Sequence, residues 1–100
     1  MLVLDECGLF SYPSEIMYIP TLTRLSLMQN KLAVVPQEIA LLTSLTDINF
    51  SQNVITEFTD CCAGLTRLQA VNLSDNLLVT LPFSLGSVKQ LQKLTVLPNN

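Results

Sequence analysis

The sequence predicts an α/β solenoid, a horseshoe segment with a parallel β-sheet on its concave face and short helical or 3-10 turns on its convex face. Three observations carry that prediction. Asn30, Asn53, Asn76 and Asn99 stand 23 residues apart, and one step back the same column holds Cys7. With that column numbered position 9 of a unit, seven other positions are apolar in every copy. A further column, position 15, reads Pro13, Pro36, Thr59 and Pro82. Neither one amphipathic helix nor one hairpin generates such a table, so the period marks an array of stacked units.

Each unit contains a strand. Position 4 holds Leu2, Leu25, Ile48, Val71 and Leu94, and position 6 holds Leu4, Leu27, Phe50, Leu73 and Val96. Alternation of these with positions 3, 5 and 7 is strand periodicity with one face buried. Strands are expected near residues 2–7, 24–28, 47–51, 70–74 and 93–97, parallel and about 4.8 Å apart. Position 9 then turns the chain away from the sheet. An Asn side chain has both a donor and an acceptor, so it can satisfy backbone groups left open by the turn and bridge to the next unit. Cys7 offers only a weak S–H donor.

Beyond the turn, position 11 (Leu9, Leu32, Ile55, Leu78) and position 14 (Tyr12, Val35, Phe58, Leu81) are apolar. Proline at position 15 fixes φ and suits the start of a short helical turn, over residues 36–42 and 82–88. Such turns are too short to stand alone. They are held by position 18 (Ile16, Ile39, Cys62, Leu85) and position 21 (Ile19, Leu42, Leu65, Val88), which are three residues apart and pack inward. Position 1 (Leu22, Leu45, Leu68, Leu91) closes the unit against the next strand. Unit three departs from the pattern, because Thr59 replaces proline and could cap its turn instead.

The run Leu22…Leu25-Ser26-Leu27-Met28-Gln29-Asn30-Lys31-Leu32…Val35-Pro36…Ile39…Leu42, with its three relatives, resembles the leucine-rich-repeat family. The likeness spans the chain: a partial unit at 1–21, complete units at 22–44, 45–67 and 68–90, and a partial unit at 91–100. Repeat length and the Leu/Val-Pro pair at positions 14 and 15 are similar to the intracellular, Ras-scaffold-like subgroup. The ribonuclease-inhibitor subgroup has longer repeats. The resemblance makes Cys7 an accepted substitute for asparagine. Residues 1–100 read as one domain, a segment of a longer solenoid. One unit cannot bury its apolar face alone, and Leu94 and Val96 are expected to be exposed on the last strand.

Composition excludes several classes of function. Net charge is −3, and Arg24, Lys31, Arg67, Lys89 and Lys93 are scattered. Nucleic-acid binding needs such residues clustered. Pro20, Pro36 and Pro82 interrupt the longer apolar stretches, so no membrane span is expected. The start carries no basic segment of a signal peptide, and a cytoplasmic address is expected. Cys7, Cys61 and Cys62 lack the spacing of a disulfide framework and read as reduced, small apolar fillers. Cys61 falls on the convex turn, where exposure alone does not make a thiol reactive.

There is no histidine, no CxxC pair and no phosphate-binding glycine loop. Histidine triads and common zinc sites cannot be built, and the carboxylates form no evident pair. Catalytic residues, cofactor and metal are all expected to be none. Asn49-Phe50-Ser51 and Asn72-Leu73-Ser74 match glycosylation sequons. Such strings arise wherever small polar residues alternate with apolar ones, and glycans there would block the concave face.

What remains is the concave sheet. Its outward residues include Arg24, Ser26 and Met28 in unit two, Asp47, Asn49 and Ser51 in unit three, and Ala70, Asn72 and Ser74 in unit four, bordered by Asp75. Met1, Val3, Asp5, Lys93, Thr95 and Leu97 continue the face at either side. Packing does not dictate these residues, so they are candidates for binding. The expected function is a non-catalytic protein–protein interaction module, a scaffold or adaptor segment in signal transduction that binds a protein partner. The alternative is a sensor or regulatory domain of a larger signalling enzyme or receptor. Arg24 beside Met28 is the only pair that resembles an interface hot spot. Asn53→Ala is expected to cost roughly 1–3 kcal/mol, and the outward Asn49→Ala no more than about 0.5 kcal/mol.

Overall fold

The repeat period becomes sheet register in the computed structural model, which describes residues 1–59, 62–78 and 91–96. In chain order the strands are β1 (Leu2–Val3), β2 (Arg24–Ser26), β3 (Val34–Val35), β4 (Asp47–Asn49), β5 (Glu57–Phe58), β6 (Ala70–Asn72) and β7 (Lys93–Thr95). Strands β1, β2, β4, β6 and β7 form one parallel sheet in that order. Leu2 pairs with Leu25, Leu25 with Ile48, Ile48 with Val71 and Val71 with Leu94. Position 4 therefore forms one continuous row under the sheet.

The strands are shorter than the alternation suggests. Three residues past the ends of β1, β2, β4 and β6, position 8 turns left-handed: Glu6, Gln29, Gln52 and Asp75 have φ of 56–58°. A non-glycine residue in that region costs about 1–2 kcal/mol. Neighbouring units hold it there through backbone hydrogen bonds. Gln29 N–H donates to Ser51 O at 3.0 Å, and Gln52 N–H to Ser74 O at 3.0 Å.

Among the described residues, three 3-10 turns back the sheet, at Ser14–Tyr18, Gln37–Leu41 and Cys62–Gly64. Pro13 and Pro36 precede the first two with φ of −69° and −79°, the geometry that proline pre-sets. The expected cap at Thr59 and the turn at 82–88 involve residues outside the described ones. Ile16, Ile39, Cys62, Leu42 and Leu65 are buried as positions 18 and 21 require. Ile19 is a correction: it is 40% exposed, because the first turn stacks on one neighbouring turn and not two. At the other side Leu94 is 39% exposed, whereas Val96, expected to be exposed, is half-buried against the core.

A second, two-stranded parallel ladder joins β3 to β5, an element that the sequence pattern did not suggest. It buries Val35 and Phe58, both at position 14. Thr56 N–H donates to Ala33 O at 2.9 Å and Thr59 N–H to Val35 O at 3.1 Å. Phe58 meets Phe50 with ring centroids 6.5 Å apart at a tilt of 43°, within the contact distance of an aromatic pair and between its stacked and edge-to-face arrangements. Among the described residues the rest of the buried core is aliphatic apart from Cys62, and it lies between the sheet and the turns.

Candidate functional site

The concave face is built on the cross-strand rows. At position 3, Arg24 pairs with Asp47, Asp47 with Ala70 and Ala70 with Lys93. At position 5, Ser26, Asn49, Asn72 and Thr95 stand in line. The two rows, with Met1, line a shallow depression of about 300 Å³. Arg24 Nε lies 3.9 Å from Asp47 Oδ1, with both side chains largely in solvent. An exposed pair of this kind contributes only about 0.2–1 kcal/mol, so both charges remain open to a partner. Thr46 Oγ1, at position 2, donates to the same Asp47 oxygen at 2.7 Å. Its role was not foreseen, since position 2 carries no periodic signal.

Position 7 needs an acceptor for its backbone N–H, and position 5 supplies one. Asn49 Oδ1 accepts Ser51 N–H at 3.1 Å and Ser51 Oγ at 2.8 Å. Asn72 Oδ1 accepts Ser74 N–H at 3.0 Å and Ser74 Oγ at 2.8 Å. Unit two has Ser26 at position 5, whose hydroxyl cannot reproduce this arrangement. There Asp5 reaches over from unit one and accepts Ser26 Oγ at 2.7 Å and Met28 N–H at 3.0 Å. The Asn-x-Ser strings that match sequons are thus intramolecular locks.

This sorts the candidate residues. Ser26 and Ser51 are 8% and 4% exposed, so they offer a partner little surface. Arg24, Asp47, Ala70, Asn72, Ser74 and Asp75 retain accessible surface. Met28 is half-buried, and Asn49 Nδ2 lies 3.7 Å from its sulfur.

The asparagine ladder runs beneath the edge of this face. Asn53 is buried; its Nδ2 donates to Leu27 O at 2.9 Å and Phe50 O at 3.0 Å, and its Oδ1 accepts Leu32 N–H at 3.1 Å. Asn76 repeats this set on Phe50 O, Leu73 O and Ile55 N–H. Asn30 does so on Leu4 O and Leu27 O, and accepts from both Cys7 N–H and Leu9 N–H. The bridge runs to the preceding unit, not to the next one as expected, because the turn aims each side chain back along the stack. Cys7 is exposed and makes one thiol contact, to Asp5 O at 3.4 Å. Leu97, Asn99 and Cys61 lie outside the described residues.

Among the described residues no three metal-ligating side chains gather, and no helix is long and apolar enough to cross a membrane.

Comparison with known proteins agrees with this construction. A family model described as leucine rich repeat matches residues 20–78. No curated protein matches the sequence. The solved structure of a leucine-rich-repeat protein from Leptospira interrogans is similar, with a TM-score of 0.88 and 32% identity over 93% of this chain. The chain spans 24% of that protein's length. Period, register, asparagine ladder and family match converge, and the chain belongs to the leucine-rich-repeat family.

Proposed function

We propose that this chain is a non-catalytic protein-interaction module, and that its concave face binds a protein partner as part of a scaffold or adaptor. The observation that carries this reading is the continuous depression across β2, β4, β6 and β7. Its outward row, Arg24, Asp47, Ala70 and Lys93, bears mixed charge that the packing beneath does not require. A repeated sheet of this kind offers an extended surface to a macromolecule more readily than a closed pocket to a small molecule. On the same reading residues 1–100 act as one segment of a longer solenoid. The 24% coverage of the Leptospira protein supports that view, and the 23-residue repeat of the intracellular subgroup supports a cytoplasmic role in signal transduction.

The test is affinity capture with the Arg24→Ala/Met28→Ala double variant. Captured partner falls at least fivefold relative to the unchanged chain, while the denaturant melt stays in place. Unchanged capture moves the site off the concave face.

A further inference from the structure

The flank of the solenoid carries a second surface. Position 12 of the unit holds Ala33, Thr56 and Val79 in units two to four, so stacking asks for nothing large there. Unit one places Phe10 at that position, and it is 74% exposed. Tyr12, Val34 and Pro36 join it to line a groove of about 410 Å³ between the first two units. Among the described residues, the backbone bonds that join units two and three on this flank, Thr56 N–H to Ala33 O and Thr59 N–H to Val35 O, have no counterpart between units one and two. Thr59 N–H closes unit three onto Val35 O, whereas Pro36, at the same position of unit two, has no N–H to offer unit one. A large aromatic on an open apolar groove is surface that the stack does not need.

Charge decides what fits this groove. Glu38 is its one charged lining residue, and Glu15 occupies the same position 17 in the neighbouring 3-10 turn. The two turns stack on each other, and among the described residues neither carboxylate has an ion-pair partner. The Phe10 ring already receives a cation, since Lys31 Nζ lies 5.1 Å from its centroid.

We infer that this groove docks a short peptide of a protein partner that carries a lysine or arginine beside a branched apolar residue. The apolar side chain lies against Tyr12 and Val34, and the cation sits between Glu38 and the face of Phe10. Lys31 is the internal placeholder that the incoming cation displaces. This surface is separate from the concave face, so the two readings fail independently.

The probe is a fluorescein-labelled heptapeptide, Gly-Leu-Arg-Leu-Lys-Leu-Gly, with a control in which glutamate replaces both basic residues. Fluorescence anisotropy is expected to show saturable binding of the basic peptide and none of the control. Phe10→Ala and Glu38→Lys each weaken binding at least fivefold, and Lys31→Ala strengthens it. The charge-matched Asp75→Lys and the Arg24→Ala/Met28→Ala variant leave it unchanged. Phe10 is exposed and Glu38 lies at the groove edge, so their melts stay in place, and Glu38→Gln serves as a milder second variant. Equal binding of both peptides overturns the proposal, as does binding that ignores Phe10→Ala and Glu38→Lys. Concentration-dependent self-association that Phe10→Ala abolishes in sedimentation also overturns it, because the occupant is then a second copy of this chain.

Discussion

Asn53 concentrates four hydrogen bonds in one buried side chain, spread over two units. Alanine there leaves the buried N–H of Leu32 without a partner and takes one of two amide donors from the carbonyls of Leu27 and Phe50, so Asn53→Ala is expected to cost about 1–3 kcal/mol. Cys7→Ala removes one exposed thiol contact and is expected to change stability by less than about 0.5 kcal/mol. Asn49→Ala falls between them. Its Oδ1 holds both groups of Ser51, which raises the expected cost to about 0.5–1.5 kcal/mol, and Asn49→Asp, which keeps the acceptor, recovers most of it. Urea melts of the four variants rank them, and a cost at Cys7 equal to that at Asn53 would refute the ladder. The ladder column itself was legible because it recurs at a fixed period. Its direction was not, since a period is the same read towards either neighbour. The lock at Asn49 and Asn72 was also hidden. Alternation marks position 5 as outward, but it does not reveal that the position 7 N–H lacks a partner in the sheet.

At the level of elements, the difference between Pro36 and Thr59 is chemical. Proline shapes the first two 3-10 turns by fixing φ, while Thr59 keeps an N–H and uses it on Val35 O at 3.1 Å. That bond extends the ladder of β3 and β5 between units two and three. Thr59→Pro removes it beside a buried valine, at a cost of about 1–3 kcal/mol. The stiffer unfolded chain returns about 0.4–1 kcal/mol. The net expectation is a loss of about 1 kcal/mol, read as a lower urea midpoint at unchanged m-value, and a stabilised variant would show that the bond contributes nothing. The turn after Pro36 could be read from the sequence because proline acts locally. The two-residue strands could not, because Val34–Val35 and Glu57–Phe58 are too short to display a period. The flank groove escaped for a related reason. Phe10 is conspicuous only when position 12 is compared across units, and that column is not part of the apolar pattern that defines the repeat.

Across the whole molecule, stability is distributed over interfaces between equivalent units, and this equivalence can be tested directly. Every pairing in the main sheet has the same register, from Leu2↔Leu25 to Val71↔Leu94. Excision of residues 45–67 therefore brings unit two against unit four with all rows aligned. Leu25 then faces Val71, and Asn76 Nδ2 meets the carbonyl of Leu27 in place of Phe50 O. The shortened chain is expected to fold, with an m-value lower by about a quarter, because m follows the surface exposed on unfolding and one unit's interface has gone. Removal of 22 residues instead, 45–66, shifts every following position by one. In a strand that shift exchanges the buried and exposed faces, sending Val71 and Leu73 towards solvent and Asn72 into the core. Circular dichroism and urea titration distinguish the cases: a cooperative transition for the 23-residue excision and none for the 22-residue one. Equal behaviour of the two deletions would mean that the 23-residue register does not hold the sheet together.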